Sequence, residues 1–584
     1  MLLIANGLTR FDRLPTLNTP KSRHNLKMSP STLDDKTQII VEASPGAKQP
    51  LFELIAVITA SAFAFTFGLG ALGFLGPDEP RYAEVAREMF ASGDYISTRL
   101  CGCLWFEKPV LQYWMSAVGY HLFGVNEFAA RLPSALSALL TVTLVGLVLR
   151  RLGYFRMSVA APLVLATSGM FIAYAHVTAQ DMILTAAMTA SLLSAYLWTK
   201  SSGWTRVVYW ILAFVFMGFA VLAKGLVGIV LVIGIFGVYL VLTGQLSLVR
   251  WRDCLIGSVV FVAIAGTWYI PVTMRHGWPF IQEFFIRHHF ERYTTNEFGH
   301  PQPFYFFLLV AIAGAVPWSF FLIPAVARLR SLKPRNGGRD SLIVLGWIWT
   351  LLPLLFFSLS ESKLPGYILP ISPAIAIIIG AEIERVLNGD RARTLRSAQW
   401  MTALCLLSIG VGLIIFARRE AVSLGGSAGP LLFLPLIIAA LSAVALGAGK
   451  SRAFIAGTAA VVMSAILCTV VILLPALRDE VSLKPLSLEA AAALRPGEKI
   501  GFYLKKDFAA VFYSEGRVLC SPRRGETFYA LHQDMLADAL AMEPSLIVIT
   551  DSHWLAGLEG DSRFETHRIA TQGESLALRV SLKK

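Results

Sequence analysis

Residues 51–90 read LFELIAVITASAFAFTFGLGALGFLGPDEPRYAEVAREMF, an apolar run that ends abruptly in a charged one. The run Leu51–Leu75 is long enough to cross about 30 Å of hydrocarbon as a helix. From Gly76 the chain turns polar, and it stays so to about Phe128. Further apolar runs follow near Leu132–Leu149, Val159–Ala175, Met182–Trp198, Val207–Leu222, Leu226–Leu242, Leu255–Val272, Phe304–Ala325, Leu342–Phe357, Tyr367–Ile383, Met401–Phe416, Leu431–Leu446 and Phe454–Leu474. The windows predict a polytopic α-helical membrane protein of about 13 transmembrane helices over residues 51–477. Composition agrees. Of 584 residues 55% are hydrophobic and only 15% charged, against about a quarter charged in a soluble domain. The mean hydropathy is +0.61.

The net charge of +13 does not point to nucleic acid, because the basic residues lie in short loops between apolar runs. Arg150, Arg151 and Arg156, Lys200 and Arg206, Arg250 and Arg252, the group Arg328–Arg339, the group Arg385–Arg396, and Lys450 with Arg452 fall on one side. The positive-inside rule makes that side cytoplasmic. Residues 1–50, polar and basic, read as a cytoplasmic tail and not as a cleavable signal. Of the six cysteines, several lie in apolar runs. Cys101 and Cys103 have no partner pair at zinc-site spacing and read as structural or incidental thiols.

Two features shape the outer side. In the first outer loop, Val85, Ala86, Met89 and Phe90 fall on one helical face and Arg81, Glu84, Arg87 and Glu88 on the other. The segment Pro109–Phe123 is apolar but short. Both predict amphipathic helices lying at the interface. After about Arg478 the hydropathy drops. Strand-like runs at Lys499–Leu504, Val511–Tyr513, Ser545–Thr550 and Leu576–Leu582, with a helical pattern over Phe528–Met542, predict a small soluble α/β domain at 478–584 facing outward. Leu531, Met535 and Leu540 are its helix's expected core positions.

With this topology the ionisable residues gather on the outer face. Asp78, Glu79, Arg81, Glu107 and Lys108 lie in the first loop, and His176 and Asp181 in a short turn. Lys224 lies in the next turn, Arg275 to Arg292 in a long loop, and Glu361, Lys363 and Tyr367 in another. Such groups beside apolar spans are costly and by default functional. Carboxylates beside cations suit transfer of a group from a phosphate carrier: Lys or Arg holds the leaving phosphate, and a carboxylate orients the acceptor or takes its proton. A divalent metal with Glu and His ligands suits the same chemistry.

The motifs carry a resemblance. GPDEPRYAEVAREMFASGDYISTRLCGCLWFEKPVLQYWMSAVGYHLFGVNEFAAR at 76–131 is similar to the first outer loop of the bacterial aminoarabinose lipid A transferases. These are C-type glycosyltransferases, a group that includes the protein O-mannosyltransferases. HVTAQD at 176–181, LAKG at 222–225, RHHFERY at 287–293 and KLPGYILP at 363–370 continue it. The resemblance implies an inverting transferase of the bacterial inner membrane with a periplasmic active site. It implies a sugar, above all aminoarabinose, donated from undecaprenyl-type phosphate to lipid A or another lipopolysaccharide acceptor, and with that polymyxin resistance. It implies catalytic roles for Asp78 and Asp181, and carrier-phosphate contacts at Arg81, Lys108, Lys224, Arg292, Lys363 and Tyr367. It also implies a divalent ion (zinc, magnesium or manganese) at Glu107 and His289.

Transfer of galacturonic acid or another sugar to lipid A or core, and protein O-mannosylation, stay open within the enzyme class. A transporter of lipid-linked sugar is the alternative of another class. It is expected to show broken helices or paired halves with polar residues at mid-membrane, and neither is legible in the sequence.

Overall fold

The computed structural model describes residues 49–291, 301–333, 338–419, 429–505, 507–520 and 528–583, with the side chains of 49, 289–290 and 478–481 outside that description. Most of the tail read at 1–50 therefore lies outside the described residues. Among those described, nine helices are long and apolar enough to span a membrane, or eleven if two bent helix pairs each count as one span.

The bent pairs are Met157–Ala166 with Gly169–Ala175, at 64°, and Phe306–Gly314 with Trp318–Ser331, at 107°. The runs Val159–Ala175 and Phe304–Ala325 are thus broken, and the expectation of unbroken helices is corrected. Hydropathy reports composition and not direction. The two breaks also serve each other. The Gly169 amide donates to the Val316 carbonyl at 3.1 Å, and the Trp318 indole donates to Thr167 Oγ1 at 2.8 Å. Backbone groups freed inside an apolar slab need such internal partners.

In the first outer loop, the helices Asp78–Ser92 and Leu111–Phe123 flank a two-residue hairpin, β1 (Arg99–Leu100) and β2 (Cys103–Leu104). On the second helix Val118, Leu122 and Phe123 stay exposed, an apolar edge suited to the interface. The first helix departs from the amphipathic expectation, because its polar face is also covered: Glu84 is fully buried. The outer domain covers it, with Gly516 so close that a Cβ there would lie 3.1 Å from Arg87 Nη2 and 3.3 Å from Glu84 Oε1.

The outer domain carries a five-stranded sheet in the order β4-β3-β5-β7-β6. Its strands are β3 (Lys499–Tyr503), β4 (Tyr529–Ala530), β5 (Leu546–Asp551), β6 (Phe564–Gln572) and β7 (Ser575–Leu582). β3 runs parallel to β4 and β5; β7 runs antiparallel to β5 and β6. The run LIVIT in β5 is buried on both faces, as a central strand covered on two sides requires. Three details correct the sequence reading. Val511–Tyr513 belongs to a short helix, Ala509–Tyr513, begun where Asp507 accepts the Ala509 amide at 2.7 Å. β6 is mostly polar, with only Phe564, Ile569 and Ala570 apolar, and so does not stand out beforehand. The helix Gln533–Met542 buries Leu536, Ala539 and Leu540, while Leu531 is exposed.

Burial pushes the Glu84 carboxyl up to about 7, against the pull of the Arg87 guanidinium, which it binds through both oxygens at 2.7 Å. A carboxyl raised in the folded state adds stability that is full below its unfolded value and is lost as pH rises through about 7. Thermal unfolding followed by intrinsic fluorescence is therefore expected at a midpoint a few degrees higher at pH near 5 than near 8. Glu84→Gln is expected to flatten that dependence; an unchanged slope in the variant would refute the assignment.

Candidate functional site

Glu79 and Arg131 build the site's frame. Glu79 is almost wholly buried, and so is Arg131. Arg131 Nε and Nη2 donate to the two Glu79 oxygens at 2.7 and 2.9 Å. Its remaining hydrogens go to the carbonyls of Leu69, Leu72 and Gly73 at 2.8 to 3.0 Å. All five guanidinium N–H groups are used. Glu79 also accepts the amides of Leu75 and Thr178, both at 2.9 Å. One buried pair thus ties the end of the first apolar run, the loop helix Asp78–Ser92, the helix Glu127–Arg151 and the HVTAQD segment together. It fixes Asp78 next to Glu79, and Asp181 just beyond Thr178. The sequence reading gave Glu79 no more than a place among the outer acids and singled out no role for Arg131. An acid in GPDEP and an arginine in AAR, each flanked by apolar sequence, is the signal that was available.

Asp78, Lys108, Asp181, Lys224 and Tyr367 line one cavity of about 370 Å³, with Tyr82 and Tyr174 among its other walls. Asp181 stands in the first turn of Gln180–Thr199, and Lys224 ends Gly203–Lys224. The two form an ion pair, and the Lys224 ammonium lies 4.5 Å from the centre of the Tyr367 ring, a cation–π contact. Gly366 lets this happen: a Cβ there would lie 3.0 Å from Asp181 Cγ and 2.8 Å from the Tyr174 hydroxyl. Asp78 pairs with Arg81, and Arg81 Nη1 stands 3.7 Å from Glu107. Lys108 is 3.2 Å from the other Glu107 oxygen. Two carboxylates and two ammonium groups therefore face one space.

Other expected residues go elsewhere. Lys363 is buried in its own turn and donates to the Ser360 carbonyl at 2.5 Å; it is not among the residues lining the cavity. Arg275 pairs with Asp94 at 2.8 Å, and Arg287 and His288 turn to Glu283. Arg292 and the His289 side chain lie outside the described residues. Among the described residues no three His, Cys, Asp or Glu side chains group as metal ligands, and Glu107 is already engaged by Arg81 and Lys108.

A second cavity, of about 500 Å³ and mostly apolar, shares Ala173 and Val177 with the first. It runs between Leu69, Leu72 and the helix Ser451–Cys468, beneath the Arg131 hub. The polar space thus opens beside an apolar one.

The family described as dolichyl-phosphate-mannose-protein mannosyltransferase matches residues 107–270. The crystal structure of ArnT from Cupriavidus metallidurans bound to undecaprenyl phosphate superimposes with a TM-score of 0.74 at 25% identity, over 90% of this chain and 97% of that one. The chain is ArnT-like in fold. This bears out the resemblance read from the motifs. Among curated relatives, an undecaprenyl phosphate-alpha-4-amino-4-deoxy-L-arabinose arabinosyl transferase of Pseudomonas fluorescens is 31% identical over 62% of this chain and 60% of its own length. Its Pseudomonas aeruginosa counterpart is 32% identical over 62% and 64%. The ArnT-like chain thus spans less than two thirds of the curated relatives it matches.

Proposed function

We propose that this ArnT-like chain is an inverting glycosyltransferase. It moves aminoarabinose from an undecaprenyl-type phosphate to a lipid A phosphate on the periplasmic face of the bacterial inner membrane. The observation that carries the reading is the cavity in which Asp78 and Asp181 face Lys108 and Lys224. The acceptor oxygen attacks the anomeric carbon from the face opposite the carrier, forming one C–O bond as the bond to the carrier phosphate breaks. Positive charge grows on the sugar ring in between, and the Asp78 carboxylate offsets it. Negative charge grows on the leaving phosphate, and Lys108 and Lys224 hold it. The adjoining apolar cavity suits the lipid chains of carrier or acceptor.

Thirteen crossings are supported if, among the described residues, the nine long spans, the two bent pairs and the two shorter apolar helices Pro50–Thr66 and Val227–Thr243 each count as one. The disulfide between Cys101 and Cys520 supports a periplasmic outer face, since such bonds persist in oxidising compartments. Arg156, Arg328, Arg339 and Arg385 cluster with Glu382, Glu384 and Asp390 at the other ends of the helices, in keeping with a cytoplasmic side there.

Mass spectrometry of lipopolysaccharide from cells with and without the protein tests substrate and class together. The expected result is lipid A heavier by one pentosamine, with the carrier phosphate released. A gain of one hexuronic acid would replace the sugar, and modified core or protein would replace the acceptor. A donor that changes leaflet unaltered would make the chain a transporter. The divalent ion expected at Glu107 and His289 is tested in the same assay. With Glu107 held by two cations, transfer is expected to survive a chelator; loss that manganese or zinc restores would make Glu107 a ligand.

A further inference from the structure

Arg81, like Lys363, is an expected phosphate contact that is not among the residues lining the cavity. It acts on the cavity through Asp78, which it grips, and it also reaches Glu107. Two rings hold it. Its guanidinium carbon lies 5.8 Å from the centre of the Trp105 ring, in the first loop, and 5.0 Å from that of Phe508, in the outer domain. The side chain is only 18% exposed as a result. A residue more than four hundred positions away in sequence thus forms one wall of the site's cation.

Phe508 is placed by the segment that follows it. Asp507 starts the helix Ala509–Tyr513. Phe512 packs edge-on to Phe74 with centroids 4.8 Å apart. The Tyr513 hydroxyl donates to Glu127 at 2.7 Å and accepts the Phe74 amide at 3.0 Å. Beyond Gly516 the chain reaches Cys520, whose sulfur is bonded to Cys101. Cys101 sits at φ +54, followed by Gly102 at +74, in the turn between β1 and β2. A left-handed backbone disfavours any residue but Gly, Asn or Asp, so a cysteine held there against that cost is a mark of use. The hairpin tip is held in turn by Glu88, which accepts the Gly102 amide at 3.0 Å from the same helix that bears Asp78 and Arg81. The sequence reading of Cys101 as a structural or incidental thiol is corrected in that the sulfur is bonded to Cys520.

We infer that the outer domain is part of the active site: Phe508 is a positioning residue for Arg81 and through it Asp78, and the Cys101–Cys520 bond locks Phe508 in place. The chain is then fully active only after oxidation. Bond formation takes two protons and two electrons from the two thiols; a protein disulfide of the outer compartment accepts them and becomes a dithiol. The effect on rate rests on the transfer reaction proposed above; the clamp itself does not.

The test uses the full-length protein in detergent or lipid. Cysteine labelling before and after reduction checks the bond: Cys101 and Cys520 are expected to react only after reduction. Phe508→Ala, Cys101→Ser and Cys520→Ser are each expected to lower kcat about tenfold or more, with little change in KM for the donor. The two cysteine variants are expected to combine no worse than either alone. Phe508→Tyr is expected to retain most of the rate, and Cys103→Ser all of it. Mass spectrometry of Arg81 modification by phenylglyoxal reads the clamp without any turnover. It should run several-fold faster in Phe508→Ala and in the reduced protein. Wild-type modification rates in those two samples, or wild-type kcat in Phe508→Ala, would overturn the inference. Faster modification in a protein that transfers no sugar would keep the clamp and remove the proposed function instead.

Discussion

Replacing Asp78 with Asn is expected to lower sugar transfer roughly a hundredfold or more, with the protein present in membranes at its normal level. The side chain is 48% exposed, faces the cavity and pairs with Arg81, three residues on. Asn keeps its size and suits a helix start as well as Asp does, so folding loses little. What disappears is a negative charge beside the anomeric carbon, and a hundredfold loss corresponds to about 2.7 kcal/mol of transition-state stabilisation. A purely structural Asp78 predicts the opposite pattern, normal rate with a lower midpoint. The helix start makes no side-chain cap, so what the carboxylate adds to folding is its pair with Arg81 and its place at the helix's positive end. Asp181, paired with a cation as Asp78 is but much less exposed to the cavity, is expected to give the smaller loss as Asn. Radiolabelled sugar transfer in isolated membranes, normalised to protein by immunoblot, measures both. An Asp78→Asn protein that transfers at the wild-type rate would remove this carboxylate from the mechanism.

The residues that face the cavity were legible because they break a pattern. Asp78, Lys108, Asp181, Lys224 and Tyr367 are polar groups at the ends of apolar runs, on one side of the membrane, and each run's length places its end. What stayed hidden was direction and pairing. Lys363 occupies the same kind of position as Lys224, yet its ammonium turns back to the Ser360 carbonyl, a choice of rotamer that spacing does not carry. The breaks near Thr167 and Pro317 were hidden because a bent apolar run has the same composition as a straight one. Cys101 and Cys520 are separated by 419 residues, and only the docked domain brings them together. The short helix Ala509–Tyr513 was read as a strand because AAVFY suits either state, and packing against Phe74 decides it.

The largest loss of stability is expected at Arg131. Arg131→Ala should lower the thermal midpoint far more than any cavity variant, or prevent accumulation altogether. Breaking one member of a buried ion pair costs about 3–5 kcal/mol, and here the loss extends to backbone groups. The carbonyls of Leu69, Leu72 and Gly73 would lose their donors, and the Glu79 carboxylate would stay buried with only the Leu75 and Thr178 amides. Lys offers three hydrogens from one point where five are used from a plane, so Arg131→Lys should rescue little. Removing both charges, as Glu79→Leu with Arg131→Met, is the sharper comparison. Buried pairs elsewhere can be exchanged for apolar residues at no cost. That exchange should fail here, because the carbonyls and amides the pair serves would remain, buried and without partners. A double variant that recovers the wild-type midpoint would mean that the pair only balances its own charge. One as unstable as Arg131→Ala would mean that Glu79 and Arg131 are retained for the backbone they hold, and with it the placing of Asp78 and Asp181.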